Sequence, residues 1–462
     1  MITCRAGRQA PELGGADAFL SESNEEELTM KDTRSDVALQ SVASRSPGHL
    51  RARLLFGAGG LTALIVLILL PLISASAAGT KLPEAAVLPV VSPTTPLEDV
   101  PASGTTGSWT NGPTSLGYQW QRCNAGGAEC ANISGATSAT YTPGEADAEH
   151  TLKLKVTATN SEGSTSASSA VTGAVPPAGQ VTEYKLKGSF AFAGITAGPD
   201  GNAWFTADSP DKIDKITTSG TPTEYALPSE SEPAGIAAGP DGNLWFADFR
   251  SGKIGKITTS GTITEYALPA GSQPFGIAEG PDKNLWFAEF GTSKIGKITT
   301  SGAITEYALP AGSTPRGIAQ GPDKNLWFAD GGTSKIGKIT TSGTITEYAV
   351  PAGSGPFGIV AGPEKEDVWF TLPSSSKVGK ITTSGTVTEY ALPEKSGLQG
   401  IAAGPDGRLW VAGTKKIARI TTSGAITEYA ANTSPIISAI ASGPDGYMWF
   451  GAATSHIGKI AP

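Results

Sequence analysis

The chain has 462 residues, room for two to four domains. Its 59 glycines, 33 prolines and only 16% charged residues favour short strands and turns over long helices. A net charge of −8 with no basic stripe argues against a nucleic-acid partner, and three histidines (His49, His150, His456) leave few general bases or metal ligands.

Residues 1–53 are polar, mixed in charge and poor in aromatics, which predicts a disordered tail. Leu54 to Ile73 carries no charge and is about as long as a helix must be to cross ~30 Å of hydrocarbon. Arg45, Arg51 and Arg53 precede this run and only Lys81 follows closely. Residues 54–77 therefore read as a transmembrane helix, with the tail cytoplasmic and the bulk of the chain outside. The alternative is the apolar part of a cleaved signal, for which Ala75-Ser76-Ala77 supplies an A-x-A site. One reading gives a single-pass protein of the cell membrane and the other a secreted one; both export the rest of the chain.

Residues 78–103 contain Pro83, Pro89, Pro93, Pro96 and Pro101, which predict a stiff linker whose later part supplies the first strand of the next module. Over residues 85–177, Trp109, Trp120, Tyr141 and the alternating Leu152, Leu154 and Val156 mark six or seven short strands separated by turns, a β-sandwich pattern. The stretches GSWTNGPTSLGYQWQRC and ISGATSATY, with the run from Asp147 through Val156 to Asn160, resemble the Ig-like modules repeated in bacterial cell-surface proteins. Cys123 and Cys130 enclose NAGGAE, and outside the cell a disulfide between them is expected.

From Val181 to Pro462 a unit of about 41 residues repeats. Its tyrosines are Tyr184, Tyr225, Tyr266, Tyr307, Tyr348, Tyr390 and Tyr429, and its tryptophans Trp204, Trp245, Trp286, Trp327, Trp369, Trp410 and Trp449. Seven of each predict a seven-bladed β-propeller, and the whole chain is expected to be all-β apart from the one N-terminal helix. Within each unit GIAAGP reads as the inner strand, NLWFA as the second, KIGKITTSG as the third and ITEYALP as the outermost. The region opens on an outermost strand, Val181–Leu186, and ends on a third strand, so the first segment is expected to complete the last blade and hide its edge.

The P-x-G-I, G-P-D-G-N-L-W-F and K-I-G-K-I runs of this repeat resemble the virginiamycin B lyase (streptogramin lyase) family and, more widely, NHL-type propellers. The resemblance implies a magnesium-assisted carbon–oxygen lyase that opens a cyclic depsipeptide antibiotic of the streptogramin B type by proton abstraction and elimination, without water. It places a catalytic histidine just before Gly-Ile and an acid at the end of the second strand. Here the positions before Gly-Ile hold Ala193, Ala234, Phe275, Arg316, Phe357 and Gln399, and Ser438 precedes Ala439-Ile440; none is histidine. The acid position keeps Asp248, Glu289 and Asp330, a candidate magnesium set. His456 takes the place of the first lysine of KIGKI, a third-strand position expected away from the rim.

The expectation is a monomeric, surface-displayed propeller. It would bind a small molecule, peptide or cell-wall partner through a rim built from Phe275, Arg316, Phe357 and Gln399. The alternatives are an active lyase that uses a different base and a purely architectural wall-associated protein.

Overall fold

The computed structural model describes residues 81–187, 194–208, 211–393, 397–431, 437–452 and 456–462. The expected tail over 1–53, the apolar segment 54–77 and the rim position Ala193 lie outside the described residues. Those residues are all-β, with two short 3-10 turns, and none of their helices is long and apolar enough to cross a membrane.

The first body holds a four-stranded sheet, a three-stranded sheet and a two-stranded ribbon within residues 84–168. Much of the expected linker is absorbed into it, because Glu84–Val87, Val91–Ser92 and Ala102–Gly104 are strands. The alternation read at Leu152, Leu154 and Val156 turns all three inward against Trp120, which is fully buried. Cys123 and Cys130 form a disulfide. Buried Asp147 joins the sheets: its carboxylate accepts from Arg122 Nε at 2.7 Å and from the Tyr141 hydroxyl at 2.6 Å. Burial, together with that carboxylate, pushes the Tyr141 hydroxyl up to about 12.

The second body is a ring of seven four-stranded antiparallel sheets. Blade one runs Ile195–Ala197, Ala203–Asp208, Asp211–Ile216 and Pro222–Ala226; blade two runs Pro233–Ala238, Leu244–Asp248, Lys253–Ile257 and Ile263–Ala267. Blades three to six follow in the same order, with first strands beginning at Pro274, Pro315, Ile359 and Ile401. Blade seven is Ile437–Ser442, Met448–Ala452 and His456–Ile460, completed by Val181–Lys185 in register from Val181 opposite Ile460 to Lys185 opposite His456. The expected closure therefore holds, with Leu186 buried just beyond the strand. First strands of successive blades are neighbours all the way round, blade seven's lying beside blade one's.

The repeated residues explain the ring. Second strands are buried on both faces because each sheet is covered by a blade on either side. Each repeat tyrosine stacks on a tryptophan, as Tyr225 does on Trp204 at 5.6 Å, and Tyr184 on Trp449 at 5.9 Å carries the pattern across the closure. Most second lysines of KIGKI lie over the tryptophan and reach a carbonyl in the next blade. Lys215 Nζ donates to Thr259 at 2.8 Å, and Lys459 Nζ donates to Thr218 of blade one at 2.8 Å. The glycine of Gly-Ile is required by close approach: a Cβ on Gly276 would stand 2.4 Å from the Arg316 carbonyl oxygen of the next inner strand.

Blade one breaks the KIGKI pattern with Asp214, where blades two to five have glycine. This carboxyl is buried, and one of its oxygens finds no hydrogen-bond partner among the described residues. Burial pushes it up to about 7, with Glu224 adding to the rise and Lys212 opposing it. Between its ordinary value and about 7 the folded state holds a proton that the unfolded chain has lost, so its contribution to stability falls as pH rises through that window and is flat above it. Asp214→Asn is therefore expected to be more stable than the parent at pH 8 by about 2–4 kcal/mol, a gain that shrinks toward pH 4. Denaturant unfolding of both proteins across that range checks it; a pH-independent difference would contradict it.

Candidate functional site

Each inner strand starts at one end of the ring, and the seven starts encircle a channel mouth. Below it lies a cavity of about 200 Å³ walled by the Gly-Ile pairs, such as Gly276-Ile277 and Gly317-Ile318. Three of the four residues expected at the rim line this cavity: Phe275, Phe357 and Gln399. Phe275 meets Phe357 edge-on, with ring centroids 5.5 Å apart. The fourth, Arg316, holds its guanidinium 5.0 Å from the Phe357 ring centre and 5.2 Å from that of Phe290. It is half-buried, no carboxylate among the described residues pairs with it, and burial alone lowers its pKa.

Phe290 and Phe249 complete the cluster, and the repeat pattern did not single them out. Phe249 packs against Phe275 and Phe290, both at 6.1 Å. Each directly follows an acid at the end of a second strand, in DF and EF, where blade four has Gly331. That shared offset, aromatic in two adjacent repeats only, was the available signal. The result is four phenylalanines and one uncompensated arginine contributed by blades two to five.

The acids are placed otherwise than expected. The register sets Asp248, Glu289 and Asp330 opposite Pro233, Pro274 and Pro315, so they do lie at the rim end of the ring. Each, however, is fully buried. Strand alternation puts Asp248 on the face of Leu244 and Phe246, in the packing between blades. Asp330 holds its own turn, accepting from the backbone N–H groups of Thr314 and Gly332 and from the Thr333 hydroxyl. Glu289 accepts from the Thr292 hydroxyl at 2.7 Å. Asp248 has no hydrogen-bond partner among the described residues, and the Ser231 hydroxyl is given to the Pro228 carbonyl. Burial pushes Asp248 up to about 6 and also raises Glu289, the latter helped by Glu306.

Among the described residues, no group of three histidine, cysteine, aspartate or glutamate side chains is arranged to hold a metal ion. Asp248, Glu289 and Asp330, the expected joint magnesium set, do not form such a group: Glu289 and Asp330 are held by hydrogen bonds beside their own strands, and Asp248 is buried without a partner among the described residues.

His456 is also displaced from its expected place. It begins a third strand, between Ala452 and Lys185, and third strands begin at the rim end. It therefore stands on the rim side, about 10 Å outward from the inner strand at two strand spacings.

Comparison with known proteins agrees with this architecture. The sequence model of the Virginiamycin B lyase family matches residues 164–330, 267–366 and 351–462. Among solved structures, virginiamycin B lyase from Staphylococcus aureus is 37% identical with a TM-score of 0.59, covering 61% of this chain and 99% of its own. A streptogramin B lyase is 35% identical with a TM-score of 0.58, covering 61% and 96%. A catalytically inactive histidine-to-alanine variant of the S. aureus enzyme with quinupristin is 36% identical with a TM-score of 0.59, covering 61% and 99%. No curated protein matches the chain. With the ring, the Gly-Ile channel wall and a family match running from residue 164 to 462, this chain belongs to the virginiamycin B lyase family.

Proposed function

We propose that the chain is an exported binding propeller, displayed at the cell surface on an Ig-like module, that takes an anionic, ring-bearing ligand at its channel mouth. The observation that carries this reading is Arg316. A guanidinium without a carboxylate partner among the described residues lies between two phenylalanine rings, at one of the positions before Gly-Ile where the resemblance allows a catalytic histidine. An anion would pair with the cation, and an aromatic or apolar body would cover Phe275 and Phe357. The two-sheet body around Trp120 supports the Ig-like reading of residues 85–177. The apolar run within 54–77 supports export, either as an anchor with the N-terminus inside or as a cleaved signal.

Benzoate and phenyl phosphate are the simplest probes. Saturable binding by calorimetry is expected, weakened roughly 10–100-fold by Arg316→Ala, the worth of one charge-assisted hydrogen bond. Binding that ignores Arg316→Ala, or no binding of either probe, would count against the reading.

A second reading is an active carbon–oxygen lyase with another base. The 35–37% identity to lyases favours it, and Asp248, raised to about 6, and Glu289, also raised, are its candidate bases.

A further inference from the structure

We infer that residues 97–99 dock the N-terminal body onto the turn face of blades six and seven as a rigid spacer, so that the channel mouth points away from where the chain enters. The turns joining first to second strands lie at the end of the inner strands opposite the rim. In blades one to four this turn carries asparagine, and Asn202, Asn243, Asn284 and Asn325 each donate to the aspartate of their own turn. Blade six has Arg408 instead. Its Nη1 keeps the local contact, 3.4 Å from Asp406 Oδ2, and also reaches Asp99 Oδ2 of the N-terminal body at 2.8 Å. Leu97 is only 1% exposed yet stands outside the core around Trp120, and a Cβ on Gly446 of blade seven would lie 3.0 Å from its methyl group. The connection between the bodies is pinned on the same side. The Ala178 N–H donates to Glu98 at 3.3 Å, the Gly179 N–H donates to the Ala461 carbonyl, and the Ala461 N–H donates to Gln180.

The opposite end of the body receives the chain. Asn160 Nδ2 donates to the Lys81 carbonyl and Asn111 Nδ2 to that of Leu82, both at 2.7 Å. The strand Thr151–Asn160 joins the two ends, since beside its start the Glu149 N–H donates to the Val175 carbonyl and the Asp99 N–H to that of Pro143. At the rise of a strand it spans about 30 Å. Entry point, spacer, turn face and rim therefore come one after another in that order. Blade six departs from the repeat at this turn because Arg408 serves docking as well as its own turn.

The test is a distance distribution between spin labels at Ser161→Cys and Ser260→Cys in the full chain carrying Cys4→Ser. A single narrow distribution is expected for the parent. Arg408→Asn restores the residue of blades one to four, so the propeller should fold unchanged, as tryptophan fluorescence would report. Combined with Leu97→Ala it is expected to widen the distribution markedly while both bodies keep their strand content by circular dichroism. A broad distribution in the parent, or an unchanged one in the combined variant, would overturn the inference.

Discussion

Deleting Val181–Lys185 is expected to open the ring, with a loss of stability larger than the ~0.5–3 kcal/mol of ordinary substitutions and with aggregation at micromolar concentration. The deletion removes the whole outer strand of blade seven, from Val181 opposite Ile460 to Lys185 opposite His456. It also strips Tyr184 from Trp449 and leaves His456–Ile460 as an unpaired edge. Every other blade draws its four strands from one continuous segment, so no other five-residue deletion at a blade's outer edge also severs the link between the two ends of the propeller. Because the deletion shortens the connection from the N-terminal body, an equal-length Gly/Ser replacement serves as control. It keeps the reach but loses the side chains, and should fall between parent and deletion. Thermal unfolding with light scattering measures both. A deletion variant that melts like the parent as a monomer would show that the closure contributes little.

The ring was legible because repetition converts one local pattern into a global count. Tyrosine and tryptophan recur together since they stack within every blade, and the offset ends of the repeat fixed which strand closes it. The rim was legible in part. Phe275, Phe357 and Gln399 could be placed because they precede Gly-Ile, whose glycine is held by the close approach of the next inner strand. Phe249 and Phe290 were not, because they lie on connections between strands, where no pairing register fixes direction.

The acids misled for a different reason. Their position at the rim end of the second strand was right, but which way a strand-end side chain faces depends on the blade packed beside it. Asp248, Glu289 and Asp330 proved to be fully buried. Arg408 stood out in the sequence only as a break in the repeat, and nothing there named its partner Asp99, which belongs to another body 309 residues away.

The absence of a histidine before Gly-Ile bears directly on chemistry. Proton abstraction by a positioned base contributes typically about 10²–10⁴ in rate. The described positions hold Ala234, Phe275, Arg316, Phe357, Gln399 and Ser438, none of them a competent base near neutral pH, and an arginine stays protonated. Asp248 and Glu289, the rim-end carboxyls that burial raises, are fully buried and cannot reach a ligand at the channel mouth without local rearrangement. Ring opening of a type B streptogramin should therefore be slower than that by the S. aureus enzyme by at least the base's contribution, and no faster with Asp248 or Glu289 present than without.

Incubating the purified protein with quinupristin and magnesium, and following the antibiotic by chromatography and fragment mass spectrometry, decides between binding propeller and lyase. Elimination gives a ring-opened product of unchanged mass and new retention, whereas hydrolysis would add a water. A binding propeller leaves quinupristin intact, and that is the expected result. Ring opening at the rate of the S. aureus enzyme, lost in Asp248→Asn or Glu289→Gln, would contradict it and establish the lyase.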